Sequence, residues 1–253
     1  MANTTFTKEP YTIEQQLVAD AMYLSRKSGK MNAIIEVDIT DLRKKITAFK
    51  KTTGQHLSTS TVFLYCYAQT LAIHKRAMAL RSCTNQLYIF NDADIFFPYE
   101  VAGQRPPAYL RKHIFKSANQ SAIVELEKEW QSLPKTAPIL NWYEQLFMYL
   151  PRCIRYLIYR VVIALPTYRK SFFGNVFFST VSGTHFTNYT VSCFTPHFHT
   201  MGMLVGSTLV TKHGNNHTMK VNLHISADHA IINGIDFHKF TNSFLKQVEA
   251  FTI

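Results

Sequence analysis

A histidine, an asparagine and a glycine stand close together in the run Ser226-Ala227-Asp228-His229-Ala230-Ile231-Ile232-Asn233-Gly234. The run leaves an alternating, half-buried strand and turns at Asn-Gly before an amphipathic helix. An imidazole at the mouth of a strand is held rigidly and still reached from outside. Within hydrogen-bond reach of a thiol or hydroxyl it can act as a general base and activate that group for acyl transfer. The bland reading stands beside this one: a strand-end histidine is often structural, and Asn-Gly serves a tight turn because it tolerates positive φ.

The elements that must position this histidine are legible on both sides. From 217 onward Met219, Val221, Leu223 and Ile225 face one side of a strand, and Lys220, Asn222, His224 and Ser226 the other. Phe237, Phe240, Phe244, Val248 and Phe251 form the apolar stripe of the closing helix. Earlier, helical spacing is expected over 13 to 27, a strand over 31 to 38, and a helix from Thr40 or Asp41 to Gly54 with Leu42, Ile46 and Phe49 on one side. A strongly apolar helix follows from Val62 to Ala72, then strands at 87 to 90, 95 to 102 and 108 to 115, and a helix from Asn119 to Ser132. Strands are expected again at 174 to 183, 184 to 194 and 203 to 210, with a turn at Gly214-Asn215-Asn216. Helices and strands interleave without regular βαβ repetition, so the expected class is α+β with a mixed sheet.

Residues 138 to 172 differ in texture. The segment LFMYLPRCIRYLIYRVVIALP is apolar, yet Arg152, Arg155 and Arg160 interrupt it, and Pro151 and Pro166 bound it. A membrane-spanning helix needs about 20 largely uncharged residues, so the segment is read as a helix packed on the fold or facing a partner subunit, ahead of a basic amphipathic helix lying on a membrane surface.

At 253 residues the chain can bury a sizeable core, and 47% hydrophobic against 17% charged residues excludes global disorder. The 27 Lys and Arg against 16 Asp and Glu give a net charge of +11, which suits an anionic partner. No nucleic-acid motif of the common modules appears, so no nucleic-acid partner is expected. The four cysteines, Cys66, Cys83, Cys153 and Cys193, lack a Cys-x-x-Cys spacing, and His197, His199 and His213 show no ligand spacing, so no metal is expected. The N-terminus lacks the apolar core of a signal peptide, and the reduced cytoplasm is the expected compartment.

Together these runs resemble the catalytic domain of the dihydrolipoyl acyltransferases of 2-oxoacid dehydrogenase complexes, whose fold is that of chloramphenicol acetyltransferase. SADHAIINGIDFHKFTNSFLKQVE resembles the family's Ser-x-Asp-His signature with its Asp/Asn-Gly and amphipathic helix. FGNVFFSTVSG resembles its Gly-Gly-Thr-Phe-Thr-x-Ser/Thr-x-x-Gly strand, and AIIEVDITDLRKKITAFKKTTGQHLSTSTVFLYCYAQTLAIH is similar to its N-terminal strand, basic helix and apolar helix. The resemblance implies one acyltransferase-like domain over 1 to 253, a two-layer sandwich with a mixed sheet and helices packed on one side, and an insert-like helical segment at 138 to 172.

It also implies a chemistry. His229 would be the general base, Thr180 would hydrogen-bond the oxyanion, and Asn233 would help to fix the site, with Asp228 and Gly234 structural beside it. Ser182 and Asn188 stay open as alternative oxyanion donors. Coenzyme A, as acyl-CoA, would be the co-substrate with an unidentified small acceptor, and active sites would form between subunits of a homotrimer. The chain departs from the family at Ala230, where a basic residue is usual. No lipoyl domain or Ala/Pro linker with a subunit-binding segment appears, so a free-standing member is expected, whose acceptor need not be dihydrolipoamide. Two further readings stay open: an O-acetyltransferase of a small hydroxyl compound, and a catalytically degenerate assembly or membrane-associated partner.

Overall fold

The structure, a computed structural model, describes residues 13–26, 29–101, 109–134, 142–181, 185–186, 191, 197–213 and 216–252. The N-terminal helix α1 (Ile13–Ser25) precedes β1 (Lys30–Asp38), α2 (Thr40–Thr53) and α3 (Thr59–Ile73). Next come the short strands β2 (Leu80–Arg81) and β3 (Leu87–Tyr88), then β4 (Ile95–Val101), β5 (Tyr109–Phe115) and α4 (Ile123–Gln131). Three helices follow, α5 (Trp142–Tyr149), α6 (Arg152–Ala164) and α7 (Pro166–Phe173). The chain closes with β6 (Val176–Thr180), β7 (His185–Phe186), β8 (Met201–His213), β9 (Asn216–Asp228) and α8 (Gly234–Glu249).

One mixed sheet carries the order β1-β9-β8-β6-β4-β5, and β7 pairs with β8 beyond the end of β6. The pairs β1–β9, β8–β9 and β4–β5 are antiparallel, while β6 runs parallel to β4 and to β8. The helix-facing side is apolar at Val176 and Phe178 of β6, at Met201, Met203 and Val205 of β8, and at Val221, Leu223 and Ile225 of β9. Helix α3 packs into that side. It is apolar all round, as a helix with no solvent face must be, and Val62, Phe63, Leu64, Tyr67 and Leu71 are fully buried. Tyr67 meets Phe178 and Phe240 with ring centroids 6.3 and 5.9 Å apart, so one helix joins the sheet to α8. Each such aromatic side chain withdrawn from water contributes about 2 kcal/mol. The α+β class and the sandwich expected from the sequence are therefore found.

The opposite side of the sheet is only partly open. The return at residues 197–200 crosses it, so His224 and Ser226, on the polar side of the β9 alternation, are buried at 6% and 3% exposure. His197 stacks flat on Phe177, 4.9 Å between centroids, and its Nε2 lies 2.6 Å from the Ser226 hydroxyl. Gly202 leaves room for that ring, since a Cβ there would stand 2.2 Å from Nε2. Burial holds His199 neutral, with its pKa pushed down to about 3. This histidine pair, seen in the sequence without a role, packs the sheet.

Several boundaries move. Pro151 and Pro166 divide the segment 138 to 172 into α5, α6 and α7, because proline supplies no N–H and begins a helix more readily than it continues one. The helix expected from Asn119 starts at Ile123, since Ala118–Gln120 forms a 3-10 turn capped by residues around it. The strand expected over 87 to 90 narrows to Leu87–Tyr88. Strand β8 begins two residues before the expected 203 and runs to His213. Cys66 is buried, its thiol pushed up to about 12 by burial, whereas Cys193 lies outside the described residues. Among the described residues no helix is long and apolar enough to cross a membrane.

Candidate active site

His229 is the first residue after β9, and the turn that carries it is fastened through four successive N–H groups, those of residues 229 to 232. Its own N–H donates to the Gly29 carbonyl at 2.9 Å, beside the start of β1. The N–H groups of Ile231 and Ile232 donate to the Asp228 carbonyl at 3.0 and 2.9 Å, and the Asp228 carboxylate accepts the Ala230 N–H at 3.0 Å. The Ile231 and Ile232 side chains are buried at 7% and 3% exposure and anchor the turn in the core. Asn233 is the N-cap of α8: its Oδ1 accepts the Asp236 N–H at 2.8 Å. Gly234 is the first helical residue.

The imidazole itself is exposed. Its Nδ1 lies 3.2 Å from the Ile232 carbonyl, and a carbonyl can only accept, so Nδ1 carries the proton. The lone pair then resides on Nε2, which has no hydrogen-bond partner among the described residues. A tautomer fixed by a backbone carbonyl, with the free nitrogen facing outward, is the form a general base must take.

One cation braces the turn and two more hold the 197–200 return beside Asp228, and sequence reasoning identified none of them. Arg76 Nε donates to the Ile231 carbonyl at 3.1 Å. Lys30 Nζ donates to the His199 carbonyl, and Arg169 Nη2, from α7, to the Phe198 carbonyl. Burial pushes the Lys30 ammonium down to about 8 and the Arg169 guanidinium to about 10, against the pull of the Asp228 carboxylate that both cations feel. The residue after the histidine, Ala230, carries no charge, while positive charge reaches the neighbourhood of Asp228 from Lys30 of β1 and Arg169 of α7. Lys30 carries a signal, opening a strand whose register pairs it with Asp228. Arg169 carries none, because its segment had no assignable place.

Thr180 ends β6 on the helix-facing side, the side of Val176 and Phe178. It is half-buried, and its hydroxyl lies 3.5 Å from that of Ser60 in the first turn of α3. Behind Ser60 the N-cap Ser58 receives the Thr61 N–H at 3.0 Å, and the buried Glu127 carboxylate accepts the Ser58 N–H at 2.9 Å. Ser182 and Asn188 lie outside the described residues.

The register fixes how Thr180 and His229 stand to one another. Thr180 pairs with Val205 of β8, which pairs with Leu223 of β9. From Leu223 to Asp228 the strand runs on by about 17 Å, at roughly 3.3 Å per residue, before His229 begins. The two groups therefore lie toward opposite ends of the sheet and two strands apart, so one chain does not bring them together. Among the described residues no group of three or more His, Cys, Asp or Glu side chains converges as a metal site would require.

No family model matches the sequence, and no curated protein matches it. Solved structures do resemble the fold. One is the dihydrolipoamide acetyltransferase of Azotobacter vinelandii, at 16% identity and a TM-score of 0.67 over 98% of this chain and 93% of that one. In that enzyme the catalytic roles of a serine, a histidine and an asparagine four positions after the histidine have been investigated. Another is a probable dihydrolipoamide acetyltransferase from Listeria monocytogenes, at 18% identity and a TM-score of 0.65 over 98% and 96% of the two chains. Chloramphenicol acetyltransferase matches at 12% identity and a TM-score of 0.52, over 96% and 98%. The chain thus has the fold that dihydrolipoamide acetyltransferase cores share with chloramphenicol acetyltransferase.

Proposed function

We propose that the protein is a CoA-dependent acyltransferase in which His229 is the general base. The observation that carries this reading is the His229 turn: Nδ1 is pinned to the Ile232 carbonyl, and the exposed ring leaves Nε2 without a partner among the described residues. Asn233 follows His229 at the spacing of the histidine and asparagine studied in the Azotobacter enzyme, and Thr180 offers a hydroxyl as the serine does there. Nε2 takes the proton from the acceptor's thiol or hydroxyl, whose sulfur or oxygen then adds to the thioester carbonyl of acyl-CoA. Thr180 donates to the resulting oxyanion. On collapse the C–S bond to CoA breaks, and the imidazolium returns its proton to the departing thiolate.

Because Thr180 and His229 lie far apart in one chain, the complete site in this reading joins His229 of one subunit to Thr180 of the next, in a homotrimer. Asn233, Asp228 and Gly234 then serve by holding the turn. The excess of 27 basic over 16 acidic side chains suits a co-substrate that carries phosphates. A reducing compartment such as the cytoplasm suits the exposed free thiols of Cys83 and Cys153.

The test is release of free CoA thiol from acetyl-CoA in the presence of dihydrolipoamide or small hydroxyl compounds. His229→Ala is expected to lose at least about 100-fold in kcat, the scale of general-base catalysis. Thiol release by the variant at the wild-type rate would remove His229 from the reaction.

A further inference from the structure

Helix α6 is apolar on two sides, and the core uses only one. Its inner side is fully engaged. The buried Arg155 meets Asp20 of α1 at 3.0 Å, Tyr156 stacks on Tyr23 at 4.2 Å between centroids, and Tyr159 packs against Phe147 and Phe173. The outer side carries Ile154, Leu157, Ile158, Val161 and Leu165, spaced as one helical stripe, and Leu157 and Val161 are 62% and 53% exposed. The neighbouring helices continue it with aromatics: Trp142 and Tyr149 on α5 are 75% and 83% exposed, Tyr168 and Phe172 on α7 58% and 51%. Patches of this extent mark an interaction surface.

From this arrangement we propose that α5, α6 and α7 seat the protein on an anionic lipid bilayer, with α6 lying flat in the headgroup layer. At 13 residues α6 is about 20 Å long, too short for a hydrocarbon core of about 30 Å, so it lies in the plane. The chemistry of the flanks selects lipid over a second copy of the chain. Of the basic residues in 142–173, Arg155, Arg169 and Lys170 are engaged inside the fold, the first against Asp20, the second at the Phe198 carbonyl and the third against Asp92 and Asp94, which leaves Arg152 and Arg160 at the surface. Arg152 and Arg160 are exposed on α6 itself, and the exposed Lys112 holds its ammonium 5.3 Å from the Phe173 ring. Two copies meeting through this same side, as in a two-fold dimer, would set Arg160 against Arg160, whereas anionic phospholipid headgroups offer a counter-charge to Arg160 and Lys112 at the rim of the stripe. Long basic side chains beside an apolar stripe can reach up to headgroups while the stripe enters the acyl boundary. Tyrosine and tryptophan favour that same boundary, with an apolar ring and one polar atom. The inference does not depend on whether His229 is catalytic.

The full-length protein is sedimented with phosphatidylcholine vesicles and with vesicles that also contain phosphatidylserine. Binding is expected to the mixed vesicles and to weaken as salt is raised. Leu157→Glu/Val161→Glu, two exposed positions, is expected to lower the bound fraction at least about 10-fold, with melting temperature retained. Should that variant fold poorly, the wild type gives a second measurement. Trp142 fluorescence is expected to be quenched by brominated lipid, while Trp130, tilted against Phe97 at 4.4 Å between ring centroids inside the fold, is not. Wild-type protein left in the supernatant with both vesicle types, or an unquenched Trp142, overturns the proposal. So does a Leu157→Glu/Val161→Glu variant that binds like wild type. A wild type that ignores vesicles and an oligomer that the two glutamates split would assign the surface to a second copy instead.

Discussion

At the scale of single residues, the proposed reaction divides its labour between an imidazole and an alcohol that one chain keeps apart. Thr180→Ala is expected to lower kcat by about 100-fold, the loss of one oxyanion donor, while Thr180→Ser keeps a hydroxyl and most of the rate. Equal loss in both variants would show that the β-branched methyl, not the hydroxyl, matters at this strand end. The division also makes the subunit boundary testable. A trimer assembled from equal parts of Thr180→Ala and His229→Ala chains holds about one intact site in four by random pairing. Neither variant alone holds any, so mixing is expected to restore activity, and mixed trimers as inactive as their parents would place both groups in one subunit's site. His229 was legible in the sequence because its signature is local: a strand end, an Asn-Gly turn and a helix within a few residues. Ser60, which meets Thr180 from 120 positions away, and Arg169, which reaches from α7 to the Phe198 carbonyl and feels Asp228, were not, because only tertiary folding brings them there.

At the scale of elements, the turns that deliver the site depend on a few positions with no slack. Removing the N-cap in Asn233→Ala leaves the Asp236 N–H without its acceptor, and a loss of about 1 kcal/mol is expected in urea unfolding. Gly174, which joins α7 to β6, is more demanding. Its φ is +65°, and a Cβ would stand 2.3 Å from the Asp94 carbonyl oxygen, so Gly174→Ala combines left-handed strain with a backbone clash. A loss of at least about 2 kcal/mol is expected, and an unchanged unfolding midpoint would mean that β6 can shift without consequence. The pattern of strands and helices was readable wherever periodicity was strong, as in β9 and α8 with their period-2 and period-3.6 alternations. It was least readable over 138 to 172. There, apolar residues point both inward to α1 and outward to solvent, so no single period identifies a buried face, and only Pro151 and Pro166 mark the breaks.

At the scale of the whole molecule, a few buried ionised groups tie distant elements together and set the response to pH. Glu127 of α4 accepts from Ser58 N–H at 2.9 Å, from Gln131 at 2.7 Å and from the His56 ring at 3.0 Å, holding α4 to the start of α3. Burial raises its pKa, but the hydrogen bonds from Thr61, Ser58, Gln131 and His56 outweigh burial and leave it below the ordinary glutamate range. Asp94 is likewise lowered, with burial outweighed by Lys116, the Ser117 N–H and Lys170, and so fastens α7 beside β4. A carboxylate lowered by folding stabilises the native state above its unfolded pKa, and that stability is lost as pH falls through the folded value. Lys30 acts at the other limb. Its folded pKa of about 8 lies below the ordinary 10.5, so between those values the unfolded chain holds a proton that the folded chain has released. Stability from this group therefore rises with pH across that window, and Lys30→Met is expected to abolish the rise. The acid limb gives the complementary test. Glu127→Gln should cost about 2 kcal/mol at neutral pH, because Gln cannot match a carboxylate that receives several donors. Below the carboxylate range the wild type has lost that advantage, so the urea midpoints of the two proteins are expected to converge as pH falls toward 3. Parallel curves that never approach one another would mean that Glu127 holds α3 and α4 together by packing rather than by charge.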